Sequence, residues 1–579
     1  MRKNLTSLAL LLFCVLASAA ASAAQTPDPG TTGPLAVTRE EYNYGDLAFQ
    51  PSNFPSAVEL KASVHHPTDL TGGPFPVVVF LHGRHVTCYS KTGITALRWP
   101  CRSTESVIPS YQGYDYVAQT LASNGYIVIS VSANGINAFD NNVNDLGMQA
   151  RAELVQRHLD QWRTFNTAGA APFGTKFVGK VDLTRVGTMG HSRGGEGVVK
   201  HYVYNASLGS PYGVKAVFPL APVDFNRPVV NNAALAVVLP YCDGDVSDNQ
   251  GVHFYDDARY NVAGDTGAKH TIQVMGANHN FYNTVWTPGM FAAGTSDDWN
   301  SGVTGGTLDA HCGTGAGNKR LTSAQQRGTG VAYLSAFFRV YVGGETQFTP
   351  ILTGAAPPPA SAQTTDLHVS YHAPDAAAKR RDVNRLLDAT NLTTDTLGGA
   401  STQVGLTPHD LCGGNSPQPQ HCLSAAQSTS RQPHTVASAR STLRGLSQLR
   451  TGWTGGGASY TNNLPLGSTN VSGFEALQFR VSVNFEDTRN AKAPQSFTVV
   501  LTDGAGAQSS VLVGSVSTAL FYPPGTTGPV PKVVLNTARI PLTAFTGVNL
   551  TDIRSVKFQF DQSASGALLI SDLAFASAP

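Results

Sequence analysis

The chain has 579 residues, with 39 basic and 38 acidic side chains and a net charge of +1. That length exceeds what one hydrophobic core usually serves, so two or more domains are expected. Balanced charge with no basic stripe excludes the usual nucleic-acid binder, and the 13% of charged residues falls well below the roughly 25% of an average globular protein.

The first residues read as a secretory signal peptide over 1–24. Arg2 and Lys3 are followed by an apolar run, Leu8 to Leu16, and then by small residues ending in ASAAQ. The run is too short to span a bilayer, and no later segment is long enough either. Export to an extracellular or periplasmic space is the expectation. Beyond Cys14 six cysteines remain, Cys88, Cys101, Cys242, Cys312, Cys412 and Cys422. An even set in an exported chain favours disulfides. Proximity and domain membership pair them 88–101, 242–312 and 412–422. No CxxC pair or clustered Cys/His spacing favours zinc.

From residue 25 to 353 the chain alternates short apolar runs with helix-like stretches, which predicts an α/β domain around a parallel sheet. The runs are PVVVFL (Pro76–Leu81), YIVISV (Tyr126–Val131), RVGTM (Arg185–Met189), KAVFPL (Lys215–Leu220), LAVVLP (Leu235–Pro240) and TIQVM (Thr271–Met275). Helices are expected over Asp115–Ser123, Met148–Trp162 and Val331–Val342. In the second, Leu154, His158 and Trp162 share one face, so His158 reads as a packed residue.

The loop after the first run, FLHGRH, holds His82, Arg84 and His85. The two histidines make a weak metal pair, because they lie on a loop with no acidic companion. After RVGTM comes Gly190-His191-Ser192-Arg193-Gly194, which fits G-x-S-x-G, a nucleophile on a strand-to-helix turn. A phosphate loop is disfavoured, since the G-K-[ST] ending is absent.

Such a nucleophile needs an acid and then a histidine on later loops. After LAVVLP the sequence YCDGDVSDNQG offers Asp243, Asp245 and Asp248; the usual reach beyond the strand favours Asp245, with Asp248 in reserve. An EF-hand is excluded, because its sixth position is Asp248 and its twelfth Phe254. After TIQVM, GANHN supplies His279. Ser192 as nucleophile, His279 as base and Asp245 as orienting acid form the expected triad. Backbone N–H groups of Arg193 and Arg84 are the expected oxyanion donors. A side-chain role for Arg193 competes with a structural one, in which it anchors the turn through a carboxylate such as Glu196.

Residues 354–365, GAAPPPASAQTT, read as a linker. It predicts that the first domain folds and acts on small esters alone. Residues 366–579 alternate apolar and polar positions between turn residues, as in LQFRVSV, SFTVVLTD, KVVLN, SVKFQFD and GALLISDLAF. That pattern predicts an all-β sandwich.

On FLHGR, GHSRGG, the Asp245 turn and GANHN, residues 75–345 resemble α/β-hydrolases of the secreted esterase, lipase and dienelactone-hydrolase kind. The run Ser192, Arg193, Gly195, Gly197 is also similar to the nucleophile turn of glucuronoyl esterases. There the arginine after the serine helps stabilise the oxyanion, but His191 stands where that family usually has cysteine. Asp552 to Phe575 resembles jelly-roll domains of the carbohydrate-binding type, which leaves the second domain as either a glycan-binding module or a structural cap.

These features make a secreted serine hydrolase of carboxylic esters, small, polymeric or glycan-linked, the expected function. It needs no cofactor and no metal. A serine peptidase on the same fold and a non-catalytic binding or adhesion protein are the alternatives.

Overall fold

A computed structural model describes residues 26–294, 297–301, 309–413, 422, 447–525 and 533–579. The expected signal peptide lies outside the described residues. Among those residues the largest sheet has nine strands: β1 (Val37–Asn43), β2 (Lys61–Pro67), β3 (Phe75–Leu81), β7 (Ile127–Val131), β8 (Val181–His191), β9 (Val214–Leu220), β10 (Ala234–Pro240), β11 (Lys269–Val274) and β12 (Leu367–His372). A small separate sheet holds β4 (Cys88–Ser90), β5 (Thr95–Ala96) and β6 (Glu105–Val107).

The large sheet is mixed, in the order β1-β2-β7-β3-β8-β9-β10-β11-β12. Strands β7, β3, β8, β9, β10 and β11 run parallel to their neighbours within that block, whereas β1, β2 and β12 add antiparallel edges. Successive side chains of a strand point to opposite faces, so a strand covered on both sides must be apolar throughout. In β3, Val77, Val79 and Leu81 enter one core, while Val78 and Phe80 enter the other. Each such side chain, fully buried, contributes about 1.5–3 kcal/mol.

Helices cover both faces. Among them are α1 (Asp115–Ser123), α2 (Asn134–Phe139), α3 (Met148–Thr167), α4 (Arg193–Ser207), α5 (Val252–Ala258) and α6 (Ser323–Tyr341). Helices α3 and α4 pack on one core through Leu154, Trp162, Val198 and Val199, and α1 and α6 on the other through Leu121, Phe337 and Phe338. His158 is buried in α3, its Nδ1 hydrogen-bonded to the Tyr42 hydroxyl at 2.5 Å, as the packed reading expects.

The C-terminal part forms two antiparallel sheets. One joins Leu406–Cys412, Gln448–Trp453, Gly566–Ala576, Ala476–Val483 and Asn536–Pro541 in that order, with Arg380–Asn384 also paired to Gly566–Ala576. The other runs Ser401–Val404, Ala458–Asn463, Ile553–Phe560, Thr498–Asp503 and Gln508–Leu512. Residues of both share one apolar core, including Phe479, Phe497, Val556 and Phe558. Among the described residues of KVVLN, only Asn536 belongs to a strand.

The stretch 354–365 packs against the first part at Ser361 and Ala362. Ser361 donates through N–H and Oγ to Asp28, and Ala362 is buried against α6. Strand β12, beyond the expected boundary at 366, completes the large sheet by pairing Leu367–His372 with β11. Further bonds join the parts: Arg480 donates to Asp256 of α5 at 2.7 Å, and Arg259 pairs with Asp572. All four side chains are buried.

The disulfides are Cys88–Cys101, Cys242–Cys312 and Cys412–Cys422, the three expected pairs. No helix among the described residues is long and apolar enough to cross a membrane.

Candidate active site

Strand β8 ends at His191 and α4 begins at Arg193, leaving Ser192 alone on the turn with φ 58° and ψ −124°. A non-glycine residue there carries strain of about 1–3 kcal/mol, tolerated only where the surroundings fix it. They do so by close packing. A Cβ on Gly190 would lie 1.9 Å from the Gly194 carbonyl oxygen, and one on Gly83 would lie 2.5 Å from Ser192 Cβ. Ser192 opens into a cleft of about 210 Å3 lined by Arg84, Arg193, Val223, Phe225, Asp245 and Val246. Both residues expected to supply oxyanion donors therefore border the serine.

His279 sits five residues beyond the end of β11 at Val274, and its Nδ1 hydrogen-bonds Asp243 Oδ2 at 2.8 Å. The carboxylate at this position is Asp243, not the Asp245 that the sequence points to. Asp245 lies on the other side of the ring, 3.6 Å from Nε2, with a side chain 64% exposed. Asp248, the reserve, is buried and bonds to Gln250 instead. The physical reason is a tight turn. Asp243 Oδ1 accepts from the N–H groups of Asp245 and Val246, so its own side chain closes the turn three residues after β10. The other oxygen is left for the imidazole.

A second carboxylate, which sequence reasoning missed, ties the acid and base loops together. Buried Asp298 accepts from Gly244 N–H at 2.9 Å, from His279 N–H at 3.0 Å and from Asn280 N–H at 3.0 Å. Burial, with Asp243 close by, pushes its carboxyl up to about 6. Gln326 of α6 completes the bracket by accepting from Asn278 N–H and donating to Asn278 O. The Cys242–Cys312 disulfide and the Cys242 N–H bond to Ala277 O hold the acid turn from its other end.

Burial alone would lower the pKa of His279. The charges of Asp243, Asp245 and Asp298 and the bond to Asp243 outweigh it and push the imidazole up to about 9. Its Nε2 is buried and has no hydrogen bond among the described residues. His191 packs against this ring at 4.8 Å and against Trp286 at 4.8 Å. Burial first, and then the neighbouring His279, hold the His191 imidazole well below its ordinary pKa.

Arg193 does not pair with Glu196. Its Nη1 lies 2.9 Å from Asp140 Oδ2 and donates to Asn141, while Glu196 accepts from Phe225 N–H and from the N–H and Nδ2 of Asn226. Both ring nitrogens of His82 are engaged in hydrogen bonds. His82 Nε2 accepts from Ala133 N–H, which leaves Nδ1 as the donor to Gly83 O, and His85 Nδ1 meets Val86 O. The one His/Cys/acid cluster of metal-site size among the described residues is Cys242, His311 and Cys312, whose sulfurs are joined to each other.

Residues 104–291 match the family model described as PETase, PET hydrolase-like. That family is of the α/β-hydrolase esterase type, and the matched span contains Ser192, Asp243 and His279. Arg84 and the C-terminal sheets lie outside it. No curated protein matches the chain.

Proposed function

We propose that the chain is an exported serine hydrolase of carboxylic esters. Ser192 attacks the ester carbonyl, His279 Nε2 takes its proton, and Asp243 holds Nδ1 and stabilises the imidazolium. The tetrahedral oxyanion is held by the backbone N–H groups of Arg193 and Arg84. Collapse expels the alcohol, which takes the proton from His279 and leaves an acyl-enzyme. Water, activated by the same imidazole, then releases the acid. The observation that carries this reading is the buried His279–Asp243 pair, whose Nε2 faces Asp245 at 3.6 Å, with Asp245 lining the same cleft as the strained strand-to-helix Ser192. The family match supports an ester as the substrate, and the three disulfides support export.

The second part is proposed to be a jelly-roll-like sandwich acting as a structural cap. The buried Asp256–Arg480 and Arg259–Asp572 contacts and the shared edge strand β12 support that role over a free glycan-binding module.

A screen over p-nitrophenyl esters, uronate esters and peptides tests the reading. Turnover of esters with Ser192→Ala inactive is expected. Turnover of peptides alone would replace the esterase with a peptidase, and no turnover of any would favour a binding protein.

A further inference from the structure

The cleft beside Ser192 has an unusual charge balance. One fully buried carboxylate, Asp140, faces three guanidiniums: Arg84 Nε at 3.1 Å, Arg151 Nη2 at 2.9 Å and Arg193 Nη1 at 2.9 Å. Arg151 is buried and turns its remaining bonds to Asn137 O δ1 and to the carbonyls of Leu146 and Gly147. Arg84 and Arg193 instead line the cleft, with side chains 31% and 16% exposed. Among the described residues, Nη1 and Nη2 of Arg84 and Nε and Nη2 of Arg193 have no acceptor.

Other carboxylates nearby do not neutralise this excess. Asp245, which also lines the cleft, stands 3.6 Å from His279 Nε2, so its charge lies beside the imidazole. Glu196 is turned to the Phe225 and Asn226 amides, and burial pushes its carboxyl up to about 7. The guanidinium of Arg193 is itself destabilised, by burial first and then by Arg151 and Arg84, with Asp140 opposing. Val223, Phe225 and Val246 give the same cleft an apolar wall.

We propose that Arg84 and Arg193 form a carboxylate-binding subsite, so that the preferred substrates are esters carrying a second, free carboxylate besides the scissile group. The inference rests on the esterase reading above. A carboxylate placed between two guanidiniums gains charge-assisted, fork-shaped hydrogen bonds in a partly desolvated site. The acyl and alcohol sides of the ester are equally able to bring it.

The test compares matched esters on the whole protein. For the acyl side the pair is mono-p-nitrophenyl adipate and p-nitrophenyl hexanoate; for the alcohol side, p-carboxyphenyl acetate and p-carbamoylphenyl acetate. In at least one pair kcat/KM should favour the carboxylate by about tenfold or more, mainly through KM, and the preference should shrink with added salt. Arg84→Gln and Arg193→Gln should each reduce that ratio by about tenfold, and Arg84→Lys should restore part of it. Equal turnover of both members in both pairs would overturn the subsite and leave the esterase standing. A preference that both glutamine variants retain would do the same. Turnover of none of the four, by protein that also fails to hydrolyse other esters, would remove the esterase reading and the subsite together.

Discussion

His279 donates from Nδ1 to Asp243 Oδ2 at 2.8 Å, while Asp245 faces the opposite nitrogen of the same ring at 3.6 Å. The two aspartates are two residues apart yet hold different positions on the base. Asp243→Asn should therefore lower kcat by about 10^4-fold, because the amide favours the wrong imidazole tautomer. Asp245→Asn should leave the plateau rate within about tenfold, a loss no larger than one exposed charge contributes. Steady-state kinetics of the two variants checks this, and equal losses would reassign the acid.

The charges around His279 also fix a pH dependence. The base works as the neutral imidazole, and with its pKa raised to about 9 it is mostly protonated at neutral pH. Activity should climb with pH and level off above about 9. The linkage has the opposite sign. Because the folded pKa lies above the ordinary 6.5, the ion pair's contribution to stability is full below 6.5 and is lost as pH rises through about 9. A kcat/KM profile with thermal unfolding over the same range reads both.

Asp298 is a positioning residue, since it touches the backbone of both loops rather than the reacting atoms. Asp298→Asn retains one acceptor oxygen, turns an NH2 toward a donor and removes a charge that raises His279. The expected result is a fall in kcat of about 10- to 100-fold, with the rising limb of the pH profile moved to lower pH. A purely structural role would lower activity without moving that limb.

The contacts between the two parts predict mutual dependence. Arg480→Met removes the nearer of two arginines from buried Asp256, leaving Arg259 at 3.5 Å, and should destabilise the protein by about 1–3 kcal/mol, read by denaturant unfolding. Truncation after residue 353 uncovers the β11 edge and should give insoluble or inactive protein. A soluble, fully active fragment would restore the independent domain that the proline-rich stretch implies.

Ser192 and His279 were legible because their signals are local: glycines demanded by a close turn, and a histidine just past a buried apolar run. The apolar strands were legible for the same reason. Asp243 was hidden by its own side chain, which shortens the turn after β10 so that counting from the strand end overshoots to Asp245. Asp298 is 19 residues from His279 in a stretch of sequence rich in small polar residues, and only the tertiary fold brings it to three amides. Nothing local in LHVSYH, the β12 segment, says which sheet it joins. Its pairing with β11 is a long-range choice, as is the burial of Ala362 against α6.

The central claim, that Ser192 is an activated nucleophile, is tested most directly by treating the whole protein with a fluorophosphonate and mapping the adduct by peptide mass spectrometry. One adduct on Ser192 is predicted, abolished by Ser192→Ala and slowed strongly by His279→Ala and Asp243→Asn. An adduct on another residue, or labelling that survives Ser192→Ala, would contradict it.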